Sequence, residues 1–310
     1  MKTSIFTHPV CIEHDPGAMH PECPDRLRAV MTALDDDDFS ALERCEAPMA
    51  DITTLQRAHD AAYIDITLES VPEEGRVHLD PDTVLCPQSG EAALRAAGAV
   101  CAAVDAVFGG HTDNAFCAVR PPGHHAEHNR AMGFCLFNNV AVGAEHARAV
   151  HGLSRVAVVD FDVHHGNGTQ HSFYEDEGLF FGSSHQWPAY PGTGSADETG
   201  AGNSNCNVPL APGAGSNEFR RAWEGTILPT LESFDPELVI ISAGFDAHAR
   251  DPLANLEVQT EDYRWVTQRI MEVADTCCDG RVVSSLEGGY DLRALAESTF
   301  CHVQALSGTS

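Results

Sequence analysis

Short runs of apolar and β-branched residues alternate with longer amphipathic stretches, and this order constrains the fold more than any other feature of the chain. The predicted strands are residues 115–119, 155–160, 179–182, 238–242 and 281–286. The predicted helices are residues 89–108, 138–150, 216–234, 260–277 and 292–306. We expect Pro229 to kink or end the third of these helices. The pattern predicts an α/β fold in which helices connect the strands of a parallel sheet.

Composition narrows the classes of protein and partner. With 310 residues, 43% of them hydrophobic, the chain can bury a large core, and we expect residues 1–310 to form a single domain. The 46 acidic and 18 basic side chains give a formal net charge of -28, which would repel DNA or RNA, so no nucleic-acid partner is expected.

Cysteine usage and hydropathy indicate the compartment. The 11 cysteines include no CxxC pair, which favours a reducing environment over a disulfide framework. No apolar run reaches the roughly 18 residues of a membrane helix, and the N-terminus does not resemble a signal peptide. These features predict a cytoplasmic protein without a membrane partner.

Four predicted strands run directly into segments that are rich in Gly, His, Asp or Tyr. The segments are 120–125 (RPPGHH), 160–168 (DFDVHHGNG), 243–248 (AGFDAH) and 287–290 (EGGY). Ligand sites of open parallel sheets lie beyond the carboxyl ends of the strands. We therefore expect these segments to meet in one crevice.

The second of these segments has the pattern of a metal site. Asp160, Asp162 and His164 alternate at the end of a strand, so their side chains should point the same way. Two neighbouring carboxylates at a buried position need a cation. A catalytic zinc ion has three protein ligands, for which Asp162, His164 and Asp246 are the candidates, although manganese or ferrous iron would also suit these donors. The alternative is a hydrogen-bonded turn with solvated acids.

Other residues in these segments could act on a substrate. His124 and His125 follow a rigid Pro-Pro-Gly approach, and histidine can take or give a proton near neutral pH. Tyr290 follows two glycines and could hydrogen-bond a developing oxyanion. Phe134 and Tyr190 are candidate walls of a narrow channel, or packing residues of the core.

Together these segments resemble the histone deacetylase superfamily, most nearly its bacterial class II branch of histone deacetylase-like and acetylpolyamine amidohydrolases. The resemblance runs from residues 20–26 (HPECPDR) to 287–291 (EGGYD), which is nearly the whole chain. It implies a deacetylase domain with an arginase-like α/β fold, in which helices flank a central parallel sheet of about eight strands. It also implies one catalytic Zn²⁺, held by Asp162, His164 and Asp246.

The resemblance further implies the catalytic roles. His124 would hydrogen-bond to Asp160 and His125 to Asn167, and these partners set the tautomer and basicity of each ring. The acyl carbonyl would lie between zinc and Tyr290. His125, aided by His124, would remove a proton from the attacking water.

Substrate and cation contacts are implied in the same way. The substrate-binding residues would be the tunnel walls Phe134 and Tyr190 with the adjacent Gly133, Leu253 at the mouth, and Ser89 as a rim residue that accepts the substrate amide. A structural K⁺ or Na⁺ would lie near Asp160, Asp162, His164 and Ser183.

We therefore expect a zinc-dependent amidohydrolase that deacetylates or deacylates linear amides of lysine side chains or small amines. An acetylpolyamine-selective enzyme is the first alternative, although Leu253 stands where such enzymes can carry an acid. An arginase-like ureohydrolase with two manganese ions and a non-catalytic binder of acetylated ligands are the others. His248 stands where a second metal would favour an acid. The natural substrate and the oligomeric state, with a homo-oligomer among the alternatives, stay open.

Overall fold

The computed structural model of the protein describes residues 1–308 and contains a large parallel sheet flanked by helices. Its strands are β1 (Thr3–Thr7), β2 (Glu43–Glu46), β3 (Val77–His78), β4 (Val84–Leu85), β5 (Asn114–Cys117), β6 (Val156–Asp160), β7 (Leu179–Gln186), β8 (Asn205–Leu210), β9 (Leu238–Ala243) and β10 (Val282–Leu286). Its helices are α1 (Val10–Glu13), α2 (Pro24–Leu34), α3 (Ile52–Leu55), α4 (Ala61–Glu69), α5 (Ser89–Phe108), α6 (Asn139–His151), α7 (Asn167–Phe173), α8 (Ser216–Ala222), α9 (Leu228–Phe234), α10 (Thr260–Cys278) and α11 (Leu292–Ser307). Short 3₁₀ turns lie at Asp37–Phe39 and Ala201–Asn203.

Eight strands form the main sheet in the order β2-β1-β5-β10-β9-β6-β7-β8, and every neighbouring pair is parallel. Residues of β6, β9 and β10 are buried along their whole length, as expected when helices cover both faces of a sheet. The prediction of an α/β fold with about eight parallel strands is confirmed. The small β3–β4 pair is antiparallel and lies outside this sheet.

The two edge strands of the sheet were not predicted from the sequence. β2 (ERCE) and β8 (NCNVPL) lie at the two edges, and both are rich in polar residues. Edge strands tolerate such residues, and β8 also tolerates Pro209, because one side of the ladder needs no partner. The short N-terminal β1 next to β2 was likewise not predicted. An apolar run is therefore a guide to the central strands of this sheet and not to its margins.

The long helices follow the sequence prediction closely, and the chain stays helical through Pro229, where a kink or end was predicted. α5 has the predicted bounds, whereas the predicted helix 216–234 is divided into α8, a π-helical turn at Trp223–Ile227, and α9. Pro229 directly follows the π-helical turn, in which the N–H of Leu228 donates to the carbonyl oxygen of Trp223, so the change in hydrogen-bond pattern coincides with the residue that has no N–H. Within residues 1–308, no helix combines the length and the apolar character needed to cross a bilayer.

The packing of α5 predicts a large effect of one methyl group. A Cβ at Gly98 would lie 2.0 Å from the carbonyl oxygen of Pro48, whereas a Cβ at Gly225 would have no neighbour within 4 Å. We expect Gly98→Ala to lower the free energy of unfolding by about 1–3 kcal/mol, because the overlap with the backbone outweighs the helix propensity of alanine. Gly225→Ala should leave stability unchanged or slightly raised. Urea denaturation measures both, and equal effects would contradict the packing argument.

Candidate active site

Three candidate metal ligands converge beyond the carboxyl ends of β6 and β9. Asp162 and His164 follow β6, and Asp246 follows β9. The Nδ1 atom of His164 lies 3.2 Å from Oδ1 of Asp162 and 3.1 Å from Oδ2 of Asp246. All three donor atoms lie within 4.8 Å of one another. The structure thus brings together the three residues that the sequence analysis selected.

The donor set fits a divalent metal ion. Donors at about 2.0–2.1 Å from a tetrahedral zinc ion are roughly 3.3 Å apart, close to the spacing around His164. Asp162 and Asp246 are buried, with exposures of 0% and 1%, so their charges need a compensating cation. Two carboxylates and one imidazole suit Zn²⁺ and also Mn²⁺ or Fe²⁺.

Glycines allow the backbone to approach these carboxylates. A Cβ at Gly244 would lie 2.1 Å from Oδ2 of Asp162, and a Cβ at Gly288 would lie 2.2 Å from Oδ2 of Asp246. The N–H of Gly288 donates to Oδ2 of Asp162 at 2.8 Å, and the N–H of Val163 donates to Oδ1 of Asp246 at 2.8 Å. These contacts orient both carboxylates. The sequence analysis assigned these glycines no such role.

A second cluster with similar residues has a different geometry. The Nε2 atoms of His146 and His151 lie 2.8 and 2.7 Å from the same Oδ1 of Asp105, which are hydrogen-bond distances. Arg57 donates to Nδ1 of His146 at 2.7 Å, which places the ring proton of His146 on Nε2, toward Asp105. These contacts pair both nitrogens of His146 and one nitrogen of His151 without an ion. The shorter contacts and greater exposure of this cluster fit a metal ion less well than the buried cluster of Asp162, His164 and Asp246 does.

The tandem histidines have different partners and opposite pKa shifts. Nδ1 of His124 lies 2.9 Å from Oδ2 of Asp160, and Nδ1 of His125 lies 2.8 Å from Oδ1 of Asn167. Burial opposes the charged form of His124, but the carboxylates of Asp162 and Asp160 prevail and raise its pKa well above the usual value. Burial, followed by the neighbouring His124, lowers the pKa of His125 well below its usual value.

His125, His164 and Tyr290 line a cavity of about 190 Å³. The rings of Tyr190 and His125 are perpendicular, with centroids 5.2 Å apart, and the rings of Phe134 and Tyr290 are 5.8 Å apart. Gly133 leaves room for the His125 ring, since a Cβ there would lie 2.4 Å from its Cδ2 atom. The lining residues are Asp82, His125, Gly133, Phe134, His164, Tyr190, Leu253 and Tyr290.

The expectation that Ser89 lies on the rim is wrong. Ser89 begins α5 and is 0% exposed. Its hydroxyl lies 2.7 Å from Nδ1 of His14 and accepts a hydrogen bond from the N–H of Cys86. These contacts turn the side chain into the protein interior, away from the mouth of the cavity.

Asp82 lines the mouth instead, and the sequence analysis missed it. Its carboxylate accepts a hydrogen bond from the N–H of Gly133 at 3.2 Å. Burial and the nearby Asp80 raise the pKa of Asp82. The acidic turn 80–82 (DPD) was the available signal, because two acids around a proline indicate a turn with outward carboxylates.

The residues predicted to hold a monovalent cation are neighbours around the end of β6. Asp160 and Ser183 are register partners on the adjacent strands β6 and β7. The hydroxyl of Ser183 lies 2.9 Å from Nδ1 of His185, and Oδ1 of Asp160 accepts from the N–H of Asp162. The binding of K⁺ or Na⁺ here stays a prediction.

Arg26 supports the turn that carries Tyr290, a role that the sequence analysis did not assign. This buried side chain donates to the carbonyl oxygens of Gly289 at 2.6 Å and Glu287 at 2.5 Å. Its guanidinium carbon lies 4.8 Å from the centre of the Tyr290 ring. Glu22 balances its charge at 3.0 Å. The buried guanidinium of Arg26 therefore restrains the backbone of this turn.

Comparison with known proteins identifies the family. The histone deacetylase domain matches residues 20–306. This chain belongs to the histone deacetylase family. It is 38% identical to Histone deacetylase 14, chloroplastic, of Arabidopsis thaliana, over 93% of this chain and 73% of that protein. It is 36% identical to the Histone deacetylase-like amidohydrolase of Pseudomonas aeruginosa, over 99% of this chain and 86% of that protein.

Solved structures support the same assignment for this histone deacetylase family member. The crystal structure of the HDA15 HD domain superposes with a TM-score of 0.92 at 35% sequence identity, covering 99% of this chain and 88% of that chain. The resemblance noted from the sequence is confirmed, as is the arginase-like fold that it implied. The family members are deacetylases and amidohydrolases, and metal dependence is general among them.

The contrast between the two histidine clusters predicts where an ion binds. We expect the purified wild-type protein to hold about one divalent ion per chain, and Asp246→Ala to hold almost none, because two donors cannot replace the third. Asp105→Ala is the control and should keep the ion. Elemental analysis of both variants after dialysis tests this assignment. Loss of the ion in Asp105→Ala alone would reverse it.

Proposed function

We propose that this family member is a zinc-dependent hydrolase that removes acetyl groups from lysine side chains or small amines and releases acetate and the free amine. The observation that carries the proposal is the convergence of Asp162, His164 and Asp246, of which His164 lines the same cavity as His125 and Tyr290. We further propose that it acts as one domain in a reducing cytoplasm, which its free cysteines favour.

Proton transfer in this mechanism falls to the tandem histidines. A divalent ion held by Asp162, His164 and Asp246 would polarise the amide carbonyl and acidify a water molecule. Since Nδ1 of His125 is bonded to Asn167, its Nε2 atom is left to take the proton of the attacking water. The same proton can then pass to the leaving amine. His124 keeps its own proton and balances the developing negative charge.

Tyr290 would act on the carbonyl oxygen. Its ring lines the cavity together with His125 and His164, and Arg26 lies against the ring. A phenol O–H that donates to the oxygen stabilises the negative charge of the tetrahedral intermediate. Position is decisive for this role, because the donor must fit the oxyanion and not only the flat amide.

The cavity favours a slender, linear acyl-amine. Phe134 and Tyr190 would pack against a methylene chain on two sides, and Leu253 adds an apolar side chain to the lining. His248 lies 3.2 Å from the hydroxyl of Thr260 through its Nε2 atom, a contact that favours one catalytic ion over the binuclear site of an arginase-like enzyme. An acetyl-lysine side chain meets these requirements.

Tyr290→Phe tests the mechanism. We expect turnover of a fluorogenic acetyl-lysine substrate to fall by about 100-fold with no loss of metal, because the variant lacks only the oxyanion donor. Tyr174→Phe, which alters a tyrosine outside the cavity lining, should retain full turnover. Chelation should abolish wild-type activity. Full activity of Tyr290→Phe would refute the role of the phenol.

An acetylpolyamine is the second candidate substrate, and Asp82 favours it. This acid at the mouth could attract the cationic tail that Leu253 cannot. If so, Asp82→Asn should lower kcat/KM for N-acetylspermidine about twofold to fivefold more than for a neutral acetyl-lysine peptide at low salt. Asp279→Asn, at an exposed acid before β10, is the control. Equal losses for both substrates would favour the lysine reading.

A further inference from the structure

Asp251 connects the mouth of the cavity to the turn that carries Tyr290. Its carboxylate is buried, with an exposure of 8%. Oδ2 accepts hydrogen bonds from the N–H groups of Tyr290 at 2.7 Å and Asp291 at 3.3 Å. Oδ1 accepts from the N–H of Leu253 at 3.0 Å. One side chain thus holds the backbone of two residues, Tyr290 and Leu253, that line the cavity on different loops.

The Tyr290 turn needs an external restraint because of its glycines. Gly288 cannot carry a side chain against Asp246, and Gly289 has a φ of 124°, which L-residues rarely adopt. Two consecutive glycines leave the chain with unusual conformational freedom. Arg26 holds the carbonyl group of Gly289, and Asp251 holds the N–H group that follows it. The peptide group between Gly289 and Tyr290 is therefore held by hydrogen bonds at both its C=O and its N–H.

Asp251 itself lies on an anchored segment. Its N–H donates to the carbonyl oxygen of His248 at 2.8 Å. The preceding Arg250 contacts Glu297 of α11 at 2.6 Å and Asp291 at 3.6 Å. The carboxylate is thus a fixed point, and the position of Tyr290 is set against it.

We propose that Asp251 is a positioning residue that places the Tyr290 phenol for a substrate entering past Leu253. This inference rests on the proposed function of Tyr290. A displacement of about 1 Å in a catalytic group can cost roughly 100-fold in rate, so a backbone restraint of this kind has a measurable effect. Asp251 acts through Tyr290 and contributes no atom to the reaction.

A double-mutant cycle distinguishes positioning from general stability. Asp251→Asn keeps the volume of the side chain but turns an amide N–H₂ toward backbone N–H donors, so it should displace the turn. The cycle compares the wild type, Asp251→Asn, Tyr290→Phe and the double variant, with kcat, KM, melting temperature and metal content measured for each. Asp251→Ala repeats the cycle without the misplaced donor.

Glu237→Gln is the matched control. The Glu237 carboxylate likewise accepts from two consecutive N–H groups, of Ser154 at 2.7 Å and Arg155 at 2.9 Å, but it precedes the amino end of β9. Its replacement should change the melting temperature and leave kcat unchanged. It therefore reports what the loss of such contacts does to stability alone.

We expect Asp251→Asn to lower kcat about 10- to 100-fold with little change in KM or metal content, and to cause almost no further loss in the Tyr290→Phe background. An equal additional loss in that background, or an unchanged kcat in Asp251→Asn, would overturn the role of Asp251 while leaving the function of Tyr290 intact. Full turnover of Tyr290→Phe would overturn the proposed mechanism and this inference with it.

Discussion

Two buried carboxylates beside one imidazole set the main constraint on this structure. Neither Asp162 nor Asp246 can keep its charge away from water without a partner. Backbone N–H groups meet part of this need, because Gly288 donates to Asp162 and Val163 donates to Asp246. A divalent ion would supply the rest. The positions of the loops after β6, β9 and β10 therefore depend on charge compensation as well as on apolar packing.

The tandem histidines show how a change of partner separates two identical side chains. The charges of Asp162 and Asp160 lie next to His124 and raise its pKa, whereas the Asn167 partner of His125 is neutral, so burial and the neighbouring His124 lower the pKa of His125. The two rings are 4.0 Å apart, and a second positive charge at that distance is unfavourable. One positive charge on this pair of rings is therefore favoured over two.

Residues close together in the chain could be placed from the sequence, and those fixed by distant contacts could not. The apolar runs located β6 and β9, and the rule that ligands bind beyond the carboxyl ends of strands located Asp246. Ser89 was misplaced because its direction depends on His14, 75 residues earlier. Asp82 was missed because its position depends on a bond to Gly133, 51 residues later. The polar edge strands β2 and β8 lack the apolar runs that located the central strands.

The geometry of the Tyr290 turn follows from the same buried charges. Glycines are required next to the carboxylates, so the turn cannot gain stiffness from side chains of its own. Arg26 restrains the turn through its hydrogen bonds to the backbone, and the charge of Arg26 is balanced by Glu22. The same Glu22 also binds Arg120, the residue that leads into the tandem histidines. A single buried glutamate therefore connects the turn that carries Tyr290, the proposed oxyanion donor, to the segment that carries the proposed general base, and its neutralisation would disturb both at once.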